Sequence, residues 1–338
     1  MEAIIKTGVL SFGKSGELFH APFLEAHSAF QFTAVVERTK KKAHLKYPNV
    51  KSYDSVDALL EDDDIELIVI NTPNATHYEF ALKALQTNKH ILVEKPFTVT
   101  SIEAKTLFAE AKKYNRLILP YQNRRYDSDY LSVKNIVDSG KLGKLIEAHF
   151  RYDRYILELS PNKLRESAIP GNGISYNLGP HVLDAAISLF GMPLKWSKKI
   201  GYFRPNTQID DYAQFHLEYP EGLQVFITLS LLVANPQPAF IIHGTKGSYV
   251  KQRTDIQEEQ LMKGMNPNDS FFGIEKPNKE GVLTVVSPDG EKTHEKIVAI
   301  KSSYMNLFDD VYQAIKNGKD YPITENEIIK QIEILEES

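Results

Sequence analysis

The feature that most constrains this chain is a repeated alternation of short apolar runs and helix-like segments from Gly8 to Leu119. Most of the runs are nearly continuous, as in strands buried on both faces of a parallel sheet. They are Gly8–Phe12, Phe32–Val36, Ile65–Ile70, His90–Val93 and Leu117–Leu119. Asp54 is expected to cap a short helix, and Thr100-Ser101-Ile102-Glu103 is a capping box that opens another. Repeated strand–helix units predict a doubly wound parallel sheet in an α/β fold.

A glycine-rich turn follows the first strand. The segment Ser11-Phe12-Gly13-Lys14-Ser15-Gly16 has the G-x-G-x-x-G spacing, with serine in the first position. At such a turn Gly13 would let a pyrophosphate approach the backbone, Gly16 would let helix and strand pack closely, and the helix start would supply N–H groups. The alternative is an ordinary glycine turn with no ligand.

The end of the second strand bears on the cofactor. Glu37 lies 21 positions past Gly16, near the ~20 expected of an acid that binds a ribose hydroxyl. Arg38 and Thr39 come next and could hold a 2′-phosphate, because arginine binds phosphate in a fork. Glu37 favours NAD and Arg38 favours NADP, and the alternative is a solvated helix start, so the sequence leaves the choice open.

Glu94-Lys95-Pro96 follows the strand His90–Val93, at the carboxyl end where open α/β sheets bind ligands. We predict that Lys95 acts where a nicotinamide ring meets an alcohol. The alternative is an ion pair with Glu94 or another acid. Thr72, Pro73 and Asn74 follow a neighbouring strand, and His77 opens the next helix, where a cap or surface role is the alternative to a cofactor contact.

The second half has longer, alternating strands, which indicate an antiparallel sheet. They are Leu145–Asp153, Asp211–Tyr219, Leu223–Val233 and Ala239–His243, followed by long loops and short strands over 252–296 and by closing helices Ser302–Lys316 and Glu325–Glu336. The predicted domains are a nucleotide-binding domain, 1–122, and a substrate-binding and oligomerisation domain, 123–338, whose final helices could pack back on the first.

One helix in the second domain carries a polar stripe. Ser175–Phe190 is apolar almost all round, but Asn177, His181, Asp184 and Ser188 share one face. Buried polar groups need partners, so the stripe either makes structural hydrogen bonds or lines a cleft. We favour the cleft, because His181 can move a proton near neutral pH, whereas Asp184 is expected to orient a neighbour.

Composition excludes several classes of function. The 338 residues include no cysteine, so thiolate catalysis, disulfides and zinc–thiolate sites are excluded, and no metal site is expected. The net charge of −4 gives no reason to expect nucleic acid or an anionic membrane as a partner. No apolar run reaches the ~18–20 residues that span a bilayer, and Met1–Ile4 lacks the features of a signal peptide. The expected location is the cytoplasm.

Together these motifs resemble the glucose–fructose oxidoreductase/inositol dehydrogenase/rhizopine-catabolism (Gfo/Idh/MocA) family, in its scyllo-inositol dehydrogenase-like subgroup. The resemblance covers nearly the whole chain and rests on the segments 8–16, 19–22, 72–77, 94–96, 122–125 and 171–181. It implies a Rossmann domain, an α/β domain whose large open sheet forms homodimers or homotetramers, NAD or NADP as cofactor, and a sugar, inositol or related polyol as substrate. It also implies that Lys95 contacts the reacting oxygen and that His181 relays its proton, and Asn177 is the third candidate for a catalytic residue.

The resemblance further implies cofactor contacts from the glycine turn, Glu37–Thr39, Thr72–Asn74, Glu94 and Lys95, and we add His77 and Asn123 to these candidates. The candidate substrate-binding residues are Arg124, Tyr152, Asp153, Asn177 and His181, with Arg154 nearby; Arg124, Tyr152, Asp153 and Arg154 could equally be surface residues.

Two positions depart from the family pattern: Ser11 replaces a glycine, which is tolerable if its φ stays negative, and Asn177 stands where many members have aspartate. An amide cannot take up a proton, so either His181 and Lys95 suffice or the activity is altered or lost. The rival functions are a non-catalytic NAD(P)-binding regulator and an NAD-dependent glycosidase-like enzyme.

Overall fold

The computed structural model of the protein describes residues 4–337; Met1–Ala3, on which the expectation about a signal peptide partly rests, and Ser338 lie outside them. The chain forms two compact units. The first contains the described residues through Asn123, together with Glu258–Phe272 and Ser303–Ile329, and the second contains Arg124–Gln257, Gly273–Ser302 and the residues from Lys330 onward. The first segment ends at Asn123, one residue past the predicted domain boundary, and the chain then contributes two further segments to the first unit.

The first unit is built on a six-stranded sheet in which every pair of neighbouring strands is parallel. Its strands are β1 Ile5–Val9, β2 Phe30–Val36, β3 Lys51–Tyr53, β4 Leu67–Ile70, β5 His90–Val93 and β6 Ile118–Pro120, in the order β3-β2-β1-β4-β5-β6. Its helices include α1 Ala21–Ala26, α2 Val56–Leu60, α3 His77–Gln86 and α4 Ser101–Lys113. This confirms the predicted doubly wound sheet, and the strand order reverses between β1 and β4, where ligands bind in such folds.

Helix caps fix two connections of this unit. The capping box of α4 is present: Thr100 Oγ1 accepts from the Glu103 amide at 3.2 Å, and Glu103 Oε2 accepts from the Thr100 amide at 3.0 Å. The predicted cap of α2 was wrong by one residue. Ser55, not Asp54, caps that helix, because its extended backbone places Oγ 3.1 Å from the Ala58 amide.

The second unit contains an eight-stranded sheet in the order β14-β13-β12-β11-β7-β10-β9-β8. Its strands are β7 Leu145–Asp153, β8 Lys195–Gly201, β9 Tyr212–Glu218, β10 Gln224–Ser230, β11 Phe240–Gly244, β12 Gly247–Lys251, β13 Gly281–Val286 and β14 Lys292–Ile297. The helices α5 Ser128–Asp138 and α6 Ile174–Phe190 also belong to this unit. Neighbouring strands are antiparallel except β7 and β10, so the mainly antiparallel sheet is confirmed.

Three further helices complete the chain: α7 Gln257–Met262, α8 Met305–Asn317 and α9 Glu325–Glu336. Helix α8 belongs to the first unit, and α9 runs from the first unit into the second. Within residues 4–337, no helix has the length and apolar character needed to cross a bilayer.

Helix α6 packs on one face of the second sheet through Leu178, Val182 and Ala186. Its first turn is capped by a residue distant in sequence: Asp210 accepts from the Ser175 amide through Oδ2, at 2.8 Å, and from the Ile174 amide through its carbonyl oxygen, at 2.8 Å. Gly173 precedes the helix with φ +94°, and a Cβ there would lie 1.8 Å from Asp210 Oδ1. Only glycine fits both requirements, so this position fixes where α6 begins.

Candidate active site

The glycine turn lies at the carboxyl edge of the first sheet. Ser11 follows β1, and its carbonyl oxygen accepts a hydrogen bond of 2.8 Å from Nδ2 of Asn71, which follows β4. This bond joins the two strand ends at the point where the strand order reverses. Ser11 is not among the described residues with positive φ, so serine is accommodated at the first position of the motif.

The two glycines of the turn have different surroundings. A Cβ on Gly16 would lie 2.1 Å from the Ser11 carbonyl oxygen, so only glycine permits this close approach of helix and strand. A Cβ on Gly13 would come within 4 Å of a single atom, Ser11 Oγ, at 3.5 Å. The space beside the Gly13 backbone is therefore available to a pyrophosphate. Gly16–His20 forms a wide π-type turn that runs directly into α1.

The other side chains of the turn contact protein groups. The ring of Phe12 is buried, with its centroid 6.5 Å from that of Phe32, so Phe12 offers a ligand only its backbone. Lys14 forms an exposed ion pair of 3.1 Å with Glu258. Ser15 Oγ donates to Glu94 Oε1 at 2.6 Å, which joins the glycine turn to the end of β5.

Glu37 and Arg38 point in different directions at the end of β2. Glu37 is only 5% exposed, and its carboxylate accepts from the Lys42 amide at 2.8 Å, the Ala43 amide at 3.2 Å and Ser52 Oγ at 2.9 Å. These bonds argue against the predicted contact between Glu37 and a ribose hydroxyl, because both carboxylate oxygens already hold the following loop. Arg38 and Thr39 are exposed.

The end of β4 leads into a tightly hydrogen-bonded turn. Thr72 and Thr76 share a hydrogen bond of 2.7 Å between their hydroxyls, and Pro73 and Asn74 lie between them. His77 is 1% exposed, with Nε2 at 2.8 Å from the Thr72 carbonyl oxygen and Nδ1 at 2.8 Å from that of Pro96. Burial lowers the pKa of His77. Since backbone carbonyls occupy both ring nitrogens, the structure argues against the predicted cofactor contact and makes His77 a positioning residue that joins two strand ends.

Glu94 and Lys95 follow β5 at the same edge of the sheet. The carboxylate of Glu94 accepts from Ser15 and lies 3.0 Å from Nε2 of the fully buried His20. Burial alone would raise the pKa of Glu94, but the hydrogen bonds from His20 and Ser15 and the charges of His20 and Lys95 outweigh it and lower the pKa to about 2. Lys95 is half-buried and precedes a cis bond to Pro96. Asn123, the last residue of the first segment of this unit, is buried.

The first unit thus fits a dinucleotide. Gly13 leaves room for a pyrophosphate, Arg38 offers an exposed guanidinium and Lys95 offers an amine. Each of these residues follows a strand of the same parallel sheet, at the carboxyl end of that strand. These observations support the predicted cofactor contact of the glycine turn, and the contacts of the individual residues there and at Thr72–Asn74 remain predictions.

In the second unit, the four residues of the polar stripe of α6 differ in burial and in hydrogen-bond partners. Asn177 is exposed on the first turn, whereas His181 is 9% exposed and Asp184 is 3% exposed. Asp184 receives two hydrogen bonds of 2.8 Å from Nε and Nη2 of Arg125, in a buried bidentate pair. Ser188 shares a bond of 2.8 Å with the Tyr130 hydroxyl. Asp184 and Ser188 are therefore structural, and the Arg125 pair fixes the helix turn next to His181.

His181 lines a small pocket within this unit. Arg124, Asp127, Tyr130 and Arg253 also line it. Arg124 donates to Asp127 Oδ2 at 2.9 Å. Arg253 was missed by the sequence analysis, because it lies in a loop between β12 and α7 that carries no recognisable motif.

Tyr152 and Asp153 lie on opposite faces of the second sheet. Tyr152 is buried on the face that packs against α6, together with Ala148 and Phe150. Asp153 alternates with it along β7 and binds Arg151 on the other face, at 2.9 and 3.1 Å. The structure therefore argues against the prediction that both residues reach one substrate, since neighbouring residues of a strand point in opposite directions.

Comparison with known proteins gives the family. Residues 5–122 match the model of an oxidoreductase family with an NAD-binding Rossmann fold, and residues 130–250 match that of the GFO/IDH/MocA C-terminal domain. The chain belongs to the Gfo/Idh/MocA family of oxidoreductases. Its two units correspond to the two domains of that family, and the predicted nicotinamide dinucleotide cofactor is confirmed at the level of NAD or NADP.

Individual proteins resemble the chain over nearly its whole length. An uncharacterised oxidoreductase of Schizosaccharomyces pombe is 38% identical, covering 98% of this chain and 95% of the relative. The scyllo-inositol 2-dehydrogenase (NADP(+)) of Bacillus subtilis is 31% identical, covering 98% and 92%. The crystal structure of an oxidoreductase from Bacillus cereus has a TM-score of 0.90 at 32% identity, covering 98% and 95%.

Proposed function

We propose that this oxidoreductase catalyses hydride transfer between the nicotinamide of NADP and a hydroxyl or carbonyl carbon of a sugar, inositol or related polyol. The observation that carries the proposal is the position of Lys95, directly after β5 at the edge of the sheet that carries the glycine turn. The similarity to a relative described as a scyllo-inositol dehydrogenase supports the substrate class.

The proposed chemistry assigns one task to each of two side chains. The bound cofactor supplies the acceptor or donor of the hydride. The ammonium of Lys95 stabilises the negative charge that develops on the reacting oxygen of the substrate. The imidazole of His181 takes the hydroxyl proton during oxidation and returns it during reduction. Asn177 is exposed and cannot exchange a proton, so the proposal requires only these two groups.

The assignment is tested with Lys95→Met, His181→Asn and the double variant, with exposed Lys319→Met as the control. NADPH absorbance at 340 nm is followed with a panel of inositols, aldoses and sugar lactones. Lys95→Met is expected to lower kcat by about 10²–10⁴, as removal of a positioned polar catalyst does. If both groups act on one oxygen, the double variant loses about as much as the more damaging single variant, because residues that act as a unit are non-additive.

Turnover by Lys95→Met close to that of the wild type would reject the assignment. If the fold-loss of kcat in the double variant equalled the product of the two single losses, the two groups would act separately. Binding of the cofactor by the wild type, with no reduction across the whole panel, would favour the non-catalytic regulator, the reading that Asn177 supports.

Preference for NADP is proposed from the end of β2. The carboxylate of Glu37 is turned inward to the loop amides, so it is not placed to repel a 2′-phosphate, and Arg38 is exposed beside it. A guanidinium binds phosphate through paired hydrogen bonds. The relative from Bacillus subtilis is described as using NADP(+), which supports the same preference.

Thermal unfolding in the presence of NADP or NAD measures this preference, because a ligand at ~100 times its Kd stabilises the folded state by about 2.7 kcal/mol. NADP is expected to raise the melting temperature at lower concentrations than NAD does. Arg38→Ala should weaken NADP binding by about 10- to 100-fold, as loss of a charged hydrogen bond does, and leave NAD binding nearly unchanged. Equal shifts with both cofactors, or equal losses in Arg38→Ala, would contradict the proposal; Lys319→Ala is the charge control.

A further inference from the structure

Three guanidinium groups surround the ring of Tyr152 in the second unit. The guanidinium carbons of Arg253, Arg154 and Arg124 lie 4.0, 5.1 and 5.5 Å from the ring centroid. Tyr152 is 6% exposed, and its hydroxyl is 3.5 Å from Nη2 of Arg154. The arginines come from three separate segments of the chain, so the fold gathers positive charge at this place.

The local carboxylates do not neutralise all of this charge. Arg124 is paired with Asp127 at 2.9 Å. Across residues 4–337, neither Arg154 nor Arg253 forms an ion pair with a carboxylate, and Arg253 instead donates to the Arg151 carbonyl oxygen at 3.0 Å. Grouping cations without counterions is unfavourable, and the ring of Tyr152 offsets this only in part.

The acids near this cluster are more buried than its arginines. Asp127 and Asp129 are both fully buried, and Asp129 Oδ2 accepts from the backbone amides of Thr254 and Asp255, at 2.6 and 3.0 Å. Arg154 and Arg253, in contrast, are half-buried. Arg154 and Arg253 therefore carry the more accessible charge of the cluster, although Asp127 and Asp129 line the pocket beside Arg253.

The positive potential of the cluster also lowers the pKa of the Tyr152 hydroxyl. Burial alone would raise the pKa of Tyr152, but the charges of Arg124, Arg253 and Arg154 and the Arg154 hydrogen bond outweigh it and lower the pKa. The cluster adjoins the proposed proton-transfer group, because Arg124 and Arg253 line the same pocket as His181.

We propose that Arg154 and Arg253, with Arg124 beside them, bind an oxyanion of the substrate, so that the substrate is a sugar or polyol carrying a carboxylate or a phosphate. This rests on the proposed oxidoreductase function and narrows its substrate class. Guanidinium groups bind either anion in a bidentate manner, and the neutral hydroxyls of an inositol would leave both arginines without a counterion.

The experiment compares three hexoses that differ in charge: D-glucose, D-glucuronate and D-glucose 6-phosphate. Their binding to the full chain is measured by calorimetry with and without NADP, and turnover is measured separately at 340 nm. At least one anion is expected to bind about 10- to 100-fold more tightly than glucose, the range given by charged hydrogen bonds. The tighter of the two anions identifies the group as carboxylate or phosphate.

Arg253→Met and Arg154→Met should each lower the ratio of anion affinity to glucose affinity most of the way to one. Exposed Arg165→Met carries the same change in charge elsewhere in the unit and should keep the preference. Arg154 is half-buried and its side chain makes one long hydrogen bond, to Tyr152, so its variant remains informative if Arg253→Met fails to fold.

The proposal is overturned if neither anion binds more tightly than glucose to the wild type, or if the arginine variants keep the preference. These outcomes are independent of the proposed function. Turnover of neutral polyols without anion preference would reject the arginine site alone. Anion binding that depends on Arg154 and Arg253, with no turnover of any substrate, would reject the oxidoreductase chemistry and retain the anion site.

Discussion

At the scale of single residues, Gly13 and Gly16 show how one motif combines two physical requirements. Gly16 is required by the protein itself, since a Cβ would lie 2.1 Å from the Ser11 carbonyl oxygen. Gly13 has no such conflict, because the one atom within 4 Å of its Cβ position is Ser11 Oγ, at 3.5 Å. Packing therefore does not require glycine at position 13, whereas the proposed contact of a pyrophosphate with the backbone would.

This difference predicts opposite behaviour for two alanine variants. Gly16→Ala should lose about 1–3 kcal/mol of unfolding free energy, the usual cost of overpacking. Gly13→Ala should stay within about 0.5 kcal/mol of the wild type, as substitutions without a clash do. It should nevertheless bind NADP more weakly, because the added methyl occupies the approach of the pyrophosphate. Urea unfolding and NADP titration measure the two effects, and wild-type affinity in Gly13→Ala would contradict the ligand explanation.

At the scale of elements, the sequence predicts strands that are buried and misses strands that are exposed. The bounds of β5 and β7 were predicted to the residue, because β5 is apolar after His90 and β7 alternates from Ile146 onward. The outer strand β8 is rich in lysine and mostly exposed, so no hydrophobic pattern marks it. The outer strand β14 is also exposed, and the sequence predicts it only as one of the short strands over 252–296, without bounds. Charged residues on edge strands discourage pairing with other chains, and the same feature hides such strands from pattern analysis.

The site residues also differ in how far the sequence predicts them. The sequence places Lys95 and the glycine turn at strand ends, because strand and helix patterns fix those positions. It does not give the direction of a side chain, and so Glu37 was expected to reach a cofactor that its bonds to Lys42 and Ala43 argue against. Nor does it reveal that Arg253 stacks on Tyr152, because contacts between distant segments depend on the tertiary fold.

Helix α6 shows how an element carries a site. Its buried pair with Arg125 holds Asp184 one turn from His181, and Gly173 with Asp210 fixes where the helix begins. The polar residues of α6 that indicated a cleft thus have two different roles, structural hydrogen bonding and proposed proton transfer. Asp184 and Ser188 are bound to protein groups, and His181 lines the pocket beside the arginines.

At the scale of the whole molecule, Glu94 couples stability to pH. Its carboxylate joins the end of β5 to the glycine turn through Ser15 and to the following helical turn through His20, and its pKa is lowered to about 2 from an ordinary value of 4.5. A carboxyl whose folded pKa is depressed stabilises the fold above its unfolded pKa. This contribution, about 3 kcal/mol, is lost as the pH falls from roughly 4.5 towards 2.

Glu94→Gln should therefore unfold more easily than the wild type at pH 6–7 and lose less stability than the wild type between pH 5 and pH 2. Urea midpoints measured by circular dichroism across this range test the prediction. Exposed Glu61→Gln makes the same change in charge without these partners and should follow the wild-type profile. If the Glu94→Gln profile ran parallel to that of the wild type, protonation of Glu94 could not be the event that weakens the fold in acid. The bonds to Ser15 and His20 would then contribute equally in both protonation states, and the link between the glycine turn and β5 would not depend on the charge of Glu94.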